Sequence, residues 1–430
     1  MNIVKRILAA NMGRDAERVA MKYSAMRADP FLFLRGTCHL FYDRLPKNSI
    51  FKSAPYTWCC GDLHLVNFGT YKGDNRLAYF DINDFDEAAL APATWELARL
   101  VTSILVCAHS YGISNENAQV LSTQFLDAYA LALSIGKSRW VERETANGMV
   151  KELLDQLQLR TRADFLDSRT QKKGKMRCFR LDGKKTLPVS EERRTQVTKF
   201  MRDFAQNQHH AAFYNVVDVA RRIAGTGSLG VDRYAILVEG KGSPDQNYLL
   251  DLKQALPSSL AKHLAAIQPK WKNDGERVVA LQERMQAVSM AFLHPVVMDG
   301  TPYVLRGLQP LEDRVPLAKY HKHVDYMVSA VRVMGECVAW AQLRSSGRQR
   351  SATADDLIDF ADGNKWRSKL LKSAYESAGQ VQADWRTYAE AYDDGQFTGP
   401  AEAVSSQASV DPKSYQIVNF CTPYQEISLR

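Results

Sequence analysis

CGDLHLVNFG (Cys60–Gly69) and AYFDINDFDE (Ala78–Glu87) are separated only by residues 70–77. Residues 56–70 read as strand and loop. LAYFDI, at 77–82, reads as a short apolar strand ending in a run of acids. Two adjacent loops joined by a short hairpin would then carry Asp62, His64, Asn67 and Asp81. Phosphoryl transfer needs a carboxylate to orient a hydroxyl and oxygen ligands to hold magnesium against phosphates. An aspartate, an asparagine five residues on, and an aspartate closing a strand supply that set. The same residues also suit a loop whose polar side chains bond their own backbone, and His64 reads as structural. A calcium loop does not fit, because Phe85 stands where an oxygen ligand is needed and the glycine is missing. Asp84, Asp86 and Glu87 read as a second metal contact or as caps for the next helix.

Outward from this stretch, PATWELAR (92–99) opens a helical pattern in which Trp95, Leu97, Ala98, Val101, Ile104 and Leu105 recur near every 3.6 residues. A second helix runs through Ala118, Leu121, Phe125, Tyr129 and Leu133. Residues 1–50 read as helical, with an apolar interruption at PFLFLRG (30–36), whose Arg35 suits either a phosphate contact or a brace. Residues 213–256 change character. RRIAG, RYAILVEG and YLLDLKQA are short and strand-like, separated by glycine-rich turns. GTGSLG (Gly225–Gly230) matches GxGxxG. A dinucleotide-binding turn would open a helix there. An alternating β pattern follows instead, and the third strand carries Lys253.

Composition sets wide bounds. The 430 residues, 45 % apolar and 24 % charged, suffice for two or three compact units. No apolar run is long enough to span a membrane. The basic amphipathic start, MNIVKRILAANMGRDAER, reads as a first helix rather than a signal peptide, so a cytoplasmic chain is expected. Seven scattered cysteines fit reduced thiols. A net charge of +8 permits an anionic partner without choosing one. The local cluster Lys172, Lys173, Lys175, Arg177, Arg180, Lys184 and Lys185 reads as a solvated hairpin with an Asp182-Gly183 turn. No interleaved aromatics argue for nucleic acid.

The first two segments resemble the catalytic loop (HGDxHxxN) and metal-binding strand of the aminoglycoside phosphotransferase and choline kinase group, with Cys60 in place of the first His. That resemblance implies Asp62 as catalytic base, Asn67 as a magnesium ligand and Asp81 as the main magnesium ligand. It makes Glu96 a brace behind the loop, and Arg99 would pair with a nearby acid. The strand, glycine loop and lysine strand resemble the phosphate-covering hairpin of kinases. By that likeness Gly225, Gly227, Ser228 and Gly230 cover the phosphates of ATP and Lys253 contacts them. Glu276 or Glu283 would pair with Lys253, and PYVLRGLQP (302–310) would lead to the hinge that contacts adenine. Asp251 departs from the small apolar residue that kinases place two before the lysine.

An ordinary kinase runs glycine loop, lysine, helix, hinge, then catalytic loop. Here the catalytic loop comes first, and VSAVRVMGECVAWAQLR (328–344), the kind of helix that precedes it in kinases, comes last. The chain therefore reads as an α+β, circularly permuted, kinase-like two-lobe fold. Residues 1–210 form a helical catalytic lobe, 211–315 a small β-rich nucleotide lobe, 316–397 helices returning to the first lobe, and 398–430 a tail. PFLFLRG, CGDLHLVNFG, FDINDFDE, GTGSLG and RVVALQERMQ (277–286) together resemble the signature of an uncharacterised bacterial family. The expected activity is Mg-ATP-dependent phosphorylation of an unnamed small-molecule or protein acceptor. A nucleotide-binding regulator without transfer, or a nucleotidyl transferase moving AMP, are the alternatives.

Overall fold

The computed structural model describes residues 2–309, 314–363 and 365–397. Five helices open the chain: α1 (Ile3–Ala10), α2 (Ala16–Ala28), α3 (Pro30–Gly36), α4 (Cys38–Arg44) and α5 (Ile50–Ser53). Four short strands follow: β1 (Tyr56–Cys59), β2 (Phe68–Lys72), β3 (Ala78–Ile82) and β4 (Ala89–Pro92). Next come the long helices α6 (Ala93–Ser110) and α7 (Asn115–Ser134). A mixed stretch carries β5 (Val141–Glu142), α8 (Gly148–Leu159), α9 (Arg162–Asp167), β6 (Thr170–Lys173), β7 (Met176–Phe179), β8 (Thr186–Leu187) and α10 (Glu191–Ala205). Then come β9 (Val216–Arg222), β10 (Arg233–Val238), β11 (Tyr248–Gln254), α11 (Asp274–Met285), β12 (His294–Met298) and β13 (Thr301–Gly307), the strands building the small lobe while α11 packs into the main core. The chain then returns to the large lobe through α12 (Val324–Ser345), α13 (Ala354–Asp362) and α14 (Trp366–Asp393). The architecture is mixed α+β. The expected tail lies outside the described residues.

PFLFLRG is a helix rather than an interruption. The Asp29 side chain caps it by accepting from the Leu32 N–H at 2.9 Å, and Pro30 takes the first helical position, where its missing N–H costs nothing. Its apolar Phe31, Phe33 and Leu34 join the main core with α6, α7, α12 and α14.

Six antiparallel strands form the small lobe's sheet in the order β12-β13-β11-β10-β9-β8. Alternation divides its two faces. One face buries Val219, Tyr234, Ile236, Leu250 and Leu252 against Val197, Met201 and Ala205 of α10. The other carries Ala220, Ala235, Leu237 and Leu249, packed on Leu166 of α9 and Phe179 of β7. A lobe boundary at 210 therefore falls too late, since α9, the β6–β7 hairpin, β8 and α10 all belong with the sheet. The hairpin turns at Gly174-Lys175 rather than at Asp182-Gly183. Asp182 instead ties the next turn by accepting from the N–H groups of Lys184 and Lys185. Arg177 is buried between Asp167 and Asp245 rather than solvated.

Candidate active site

The catalytic-loop segment is held from below. Glu96, fully buried on α6, accepts from the Cys60 N–H at 2.9 Å and from Gln342 Nε2 on α12 at 2.7 Å. Burial lifts its carboxyl to about 7 in spite of those bonds. Gly61 has a φ of +86°, and a Cβ there would lie 2.2 Å from the Glu87 carbonyl oxygen, so only glycine fits the turn that presents Asp62. Arg99, also from α6 and fully buried, grips Asp62 Oδ1 through Nε at 2.8 Å and through a second nitrogen. Its guanidinium also lies over the Phe41 ring at 5.1 Å. Asp62 Oδ2 points the other way, 4.0 Å from His64 Nε2. Burial raises the Asp62 carboxyl to about 6, with Arg99 pulling it down. His64 is buried and held neutral by burial and by the Arg35 and Arg99 charges. Asn67 donates its amide to the Asp62 carbonyl at 2.6 Å.

The acid-rich segment divides. Asp81 does not reach the cleft. It ends β3 buried in the floor, where Oδ1 accepts from the Ile82 N–H at 2.8 Å and Oδ2 pairs with Arg344 at 3.2 Å. The placement expected for Asp81 falls to Asp84, which lines the cleft with Asp62 and Asn67. Burial would raise the Asp84 carboxyl, but Lys253, Arg306, Arg233 and Arg314 outweigh it and hold it below the ordinary value. Asp86 ion-pairs with Lys253 on β11. Neither expected partner takes that lysine: Glu276 pairs with Lys272 at 3.6 Å, and Glu283 lies outside the cleft lining. Helix α11 instead clamps the acid loop through its backbone. Arg277 donates to the carbonyls of Asp86, Ala88 and Leu256, and Gln286, just past the helix, donates to that of Ile82.

Gly225–Gly230 lies in the β9–β10 connection and arches over Asp62. A Cβ on Gly227 would stand 3.0 Å from the Arg35 carbonyl and 3.9 Å from Asp62 Oδ2. Among the described residues, the N–H groups of Gly225, Thr226, Gly227 and Ser228 donate to no protein atom. The amino-terminal helices strap this loop from outside. Arg14 donates to the Gly227 carbonyl at 2.9 Å, Lys22 reaches it at 3.3 Å, and the Asp15 N–H donates to the Gly230 carbonyl at 2.9 Å.

Together these segments enclose a cavity of about 400 Å³. Asp62, Asn67, Asp84, Lys253 and the glycine loop all line it, as do Arg14, Lys22, Arg35 and Arg314. Burial lowers Lys22 well below its usual value, with Arg14 adding to the effect, and pushes Arg314 down to about 9. Arg314 and the strapping pair Arg14 and Lys22 were not singled out from sequence, while Asp84 and Asp86 were read only as a second metal contact or as helix caps. Asp84 lies in the quoted acid run itself, whereas the cations sit in no recognisable pattern. Among the described residues no three His, Cys, Asp or Glu side chains stand together as a metal cluster. Asn67 and Asp84, which both carry oxygen donors, line the cavity.

A cleft of acids and cations between a helical lobe and a small antiparallel sheet defines the class of site. A family model described as an uncharacterized protein conserved in bacteria (DUF2252) matches residues 14–391, and the chain belongs to that family. No curated protein and no solved structure matches the chain.

Proposed function

We propose that the chain is a phosphotransferase with kinase-like lobes in permuted order, which moves the terminal phosphoryl group of a magnesium-bound triphosphate to an acceptor. The observation that carries this reading is convergence. Lys253 meets Asp86 across 167 residues of chain, and in the same cleft the glycine loop closes over Asp62. The small lobe also runs glycine loop, lysine strand, helix and hinge strand, the order of an ordinary kinase.

In this reading Asp62 Oδ2 accepts the proton of an acceptor hydroxyl while Arg99 fixes the other carboxylate oxygen. The acceptor oxygen bonds the terminal phosphorus, and the bond from that phosphorus to its bridging oxygen breaks. The bridging oxygen keeps the electron pair. Lys253 and the free N–H groups of the glycine loop hold phosphate oxygens and meet the charge that develops on them. Asn67 and Asp84 would hold the magnesium ion, which supplies neutralisation of phosphate charge.

The test uses ATP labelled at the α or the γ phosphate, with a mixture of candidate acceptors. Transfer of γ label, lost by about 10²- to 10⁴-fold in Asp62→Asn, is the expected outcome. Transfer of α label would replace the reading with nucleotidyl transfer. Binding of ATP without loss of either label would favour a regulator, a reading for which the strapped glycine loop speaks.

A further inference from the structure

The sheet beside the cleft and the cavity itself differ. Where the hinge strand leaves the sheet, a kinase seats its purine between small apolar side chains and exposed hinge backbone. Here Asp251, fully buried on β11, is ringed by three arginines. Arg222 pairs with it at 2.8 Å, Arg233 at 2.6 Å and Arg306 at 3.5 Å. Those charges hold the Asp251 carboxyl well below its ordinary range despite burial. Arg222 goes further and donates to the Gln309 carbonyl at 2.7 Å, while the Gln309 side chain donates to the Thr70 carbonyl at 3.0 Å. The Leu308 N–H is used as well, by the Leu249 carbonyl at 2.9 Å. The shelf beyond, Ala220 and Ala235, is covered by Leu166 and Phe179. A planar guanidinium thus bonds the Gln309 carbonyl, and the Leu308 N–H beside it is already used.

The cavity itself carries cations beside its acids. Arg35 is 94 % buried by its 6 % exposure, lines the cavity, and makes no ion pair or side-chain hydrogen bond among the described residues. Its guanidinium lies 5.7 Å from the centroid of the Phe31 ring. A buried guanidinium without an acceptor is costly, and a bound oxyanion would satisfy it bidentately. Arg314 and the glycine loop line the same cavity, and among the described residues the N–H groups of Gly225–Ser228 donate to no protein atom.

We infer that this site recognises its donor by the phosphate chain alone and has no seat for a base, so that tripolyphosphate and every nucleoside triphosphate bind alike. The inference rests on the phosphotransferase reading. Arg35 is a phosphate-binding residue in it, and the cluster of Asp251 with Arg222, Arg233 and Arg306 is the plug that excludes the base.

The experiment is a ligand series on the full chain with magnesium, read by calorimetry: tripolyphosphate, ATP, GTP, CTP and adenosine. Equal dissociation constants for the first four, within about threefold, and no binding of adenosine are expected. A base seat worth only about 1.4 kcal/mol would separate ATP from tripolyphosphate tenfold. That separation would overturn the inference and leave the nucleotide site standing, whereas no binding by any triphosphate would overturn both. Arg35→Gln should weaken all four ligands together by roughly 10- to 100-fold. Unchanged tripolyphosphate binding in that variant would mean attachment elsewhere on a basic surface, and would also overturn the inference.

Discussion

At the scale of single residues, the Asp62–Arg99 pair sets both chemistry and stability. With its carboxyl raised to about 6 against an ordinary 3.8, the folded chain binds more protons at Asp62 than the unfolded chain across that window. Stability contributed through this group therefore falls as pH rises from about 4 to 6, by ~3 kcal/mol at most. Proton acceptance runs the other way, so transfer rate should climb through pH 6 and level off above it. Comparing melting points of wild type and Asp62→Asn from pH 4 to 7 checks the first sign, since the difference should move against wild type. A rate profile checks the second. Arg99→Met leaves a buried carboxylate unpaired and should cost about 3–5 kcal/mol in denaturant unfolding, while moving the rate profile to higher pH. Asp84→Asn should abolish magnesium-dependent binding of triphosphate. Asp81→Asn should leave that binding in place and instead lower stability, because it releases Arg344 in the floor.

At the scale of elements, the glycine loop and α11 decide whether the cleft keeps its shape. Gly227→Ala sets a methyl 3.0 Å from the Arg35 carbonyl. The loop must shift, and triphosphate affinity should drop about tenfold with little change in melting point. Arg277→Ala removes the donor to three carbonyls, that of Ala88 fully buried, and should cost roughly 2–4 kcal/mol, with binding lost in parallel. These elements also mark how far the sequence could be read. GDLHLVN and GTGSLG were legible because each is local: a few residues define the turn and its donors. Pro30–Gly36 was legible in principle too, since Asp29-Pro30 is a capping pair, but its apolar run masked the cap. The choice between Asp81 and Asp84 was not legible. It turns on where β3 ends and which way the next carboxylate faces, a matter of three residues of backbone. The partner of Lys253 and the strapping cations were hidden for another reason. Their contacts cross 167 residues for Lys253 and 205 for Lys22, and spacing along the chain carries no record of them.

At the scale of the whole molecule, the large lobe is assembled from two stretches of chain with the small lobe between them. Its floor is shared. Glu96 from the first stretch meets Gln342 from the second, Asp81 meets Arg344, and Arg44 meets Asp384. The first stretch should not hold its fold alone. A chain ending at residue 323 should be cut by protease throughout residues 56–110, where the full chain resists, and intact protection of that region in the shortened chain would refute the shared floor. The order of these stretches has a consequence for synthesis. At about 5–20 residues per second, the 246 positions between Glu96 and Gln342 take roughly 10 to 50 s to translate. For that interval the Cys60–Gly69 segment stands outside the ribosome while Glu96 behind it lacks its second partner. The nascent protein must hold this early segment until α12 has been made, and the shared floor closes only then.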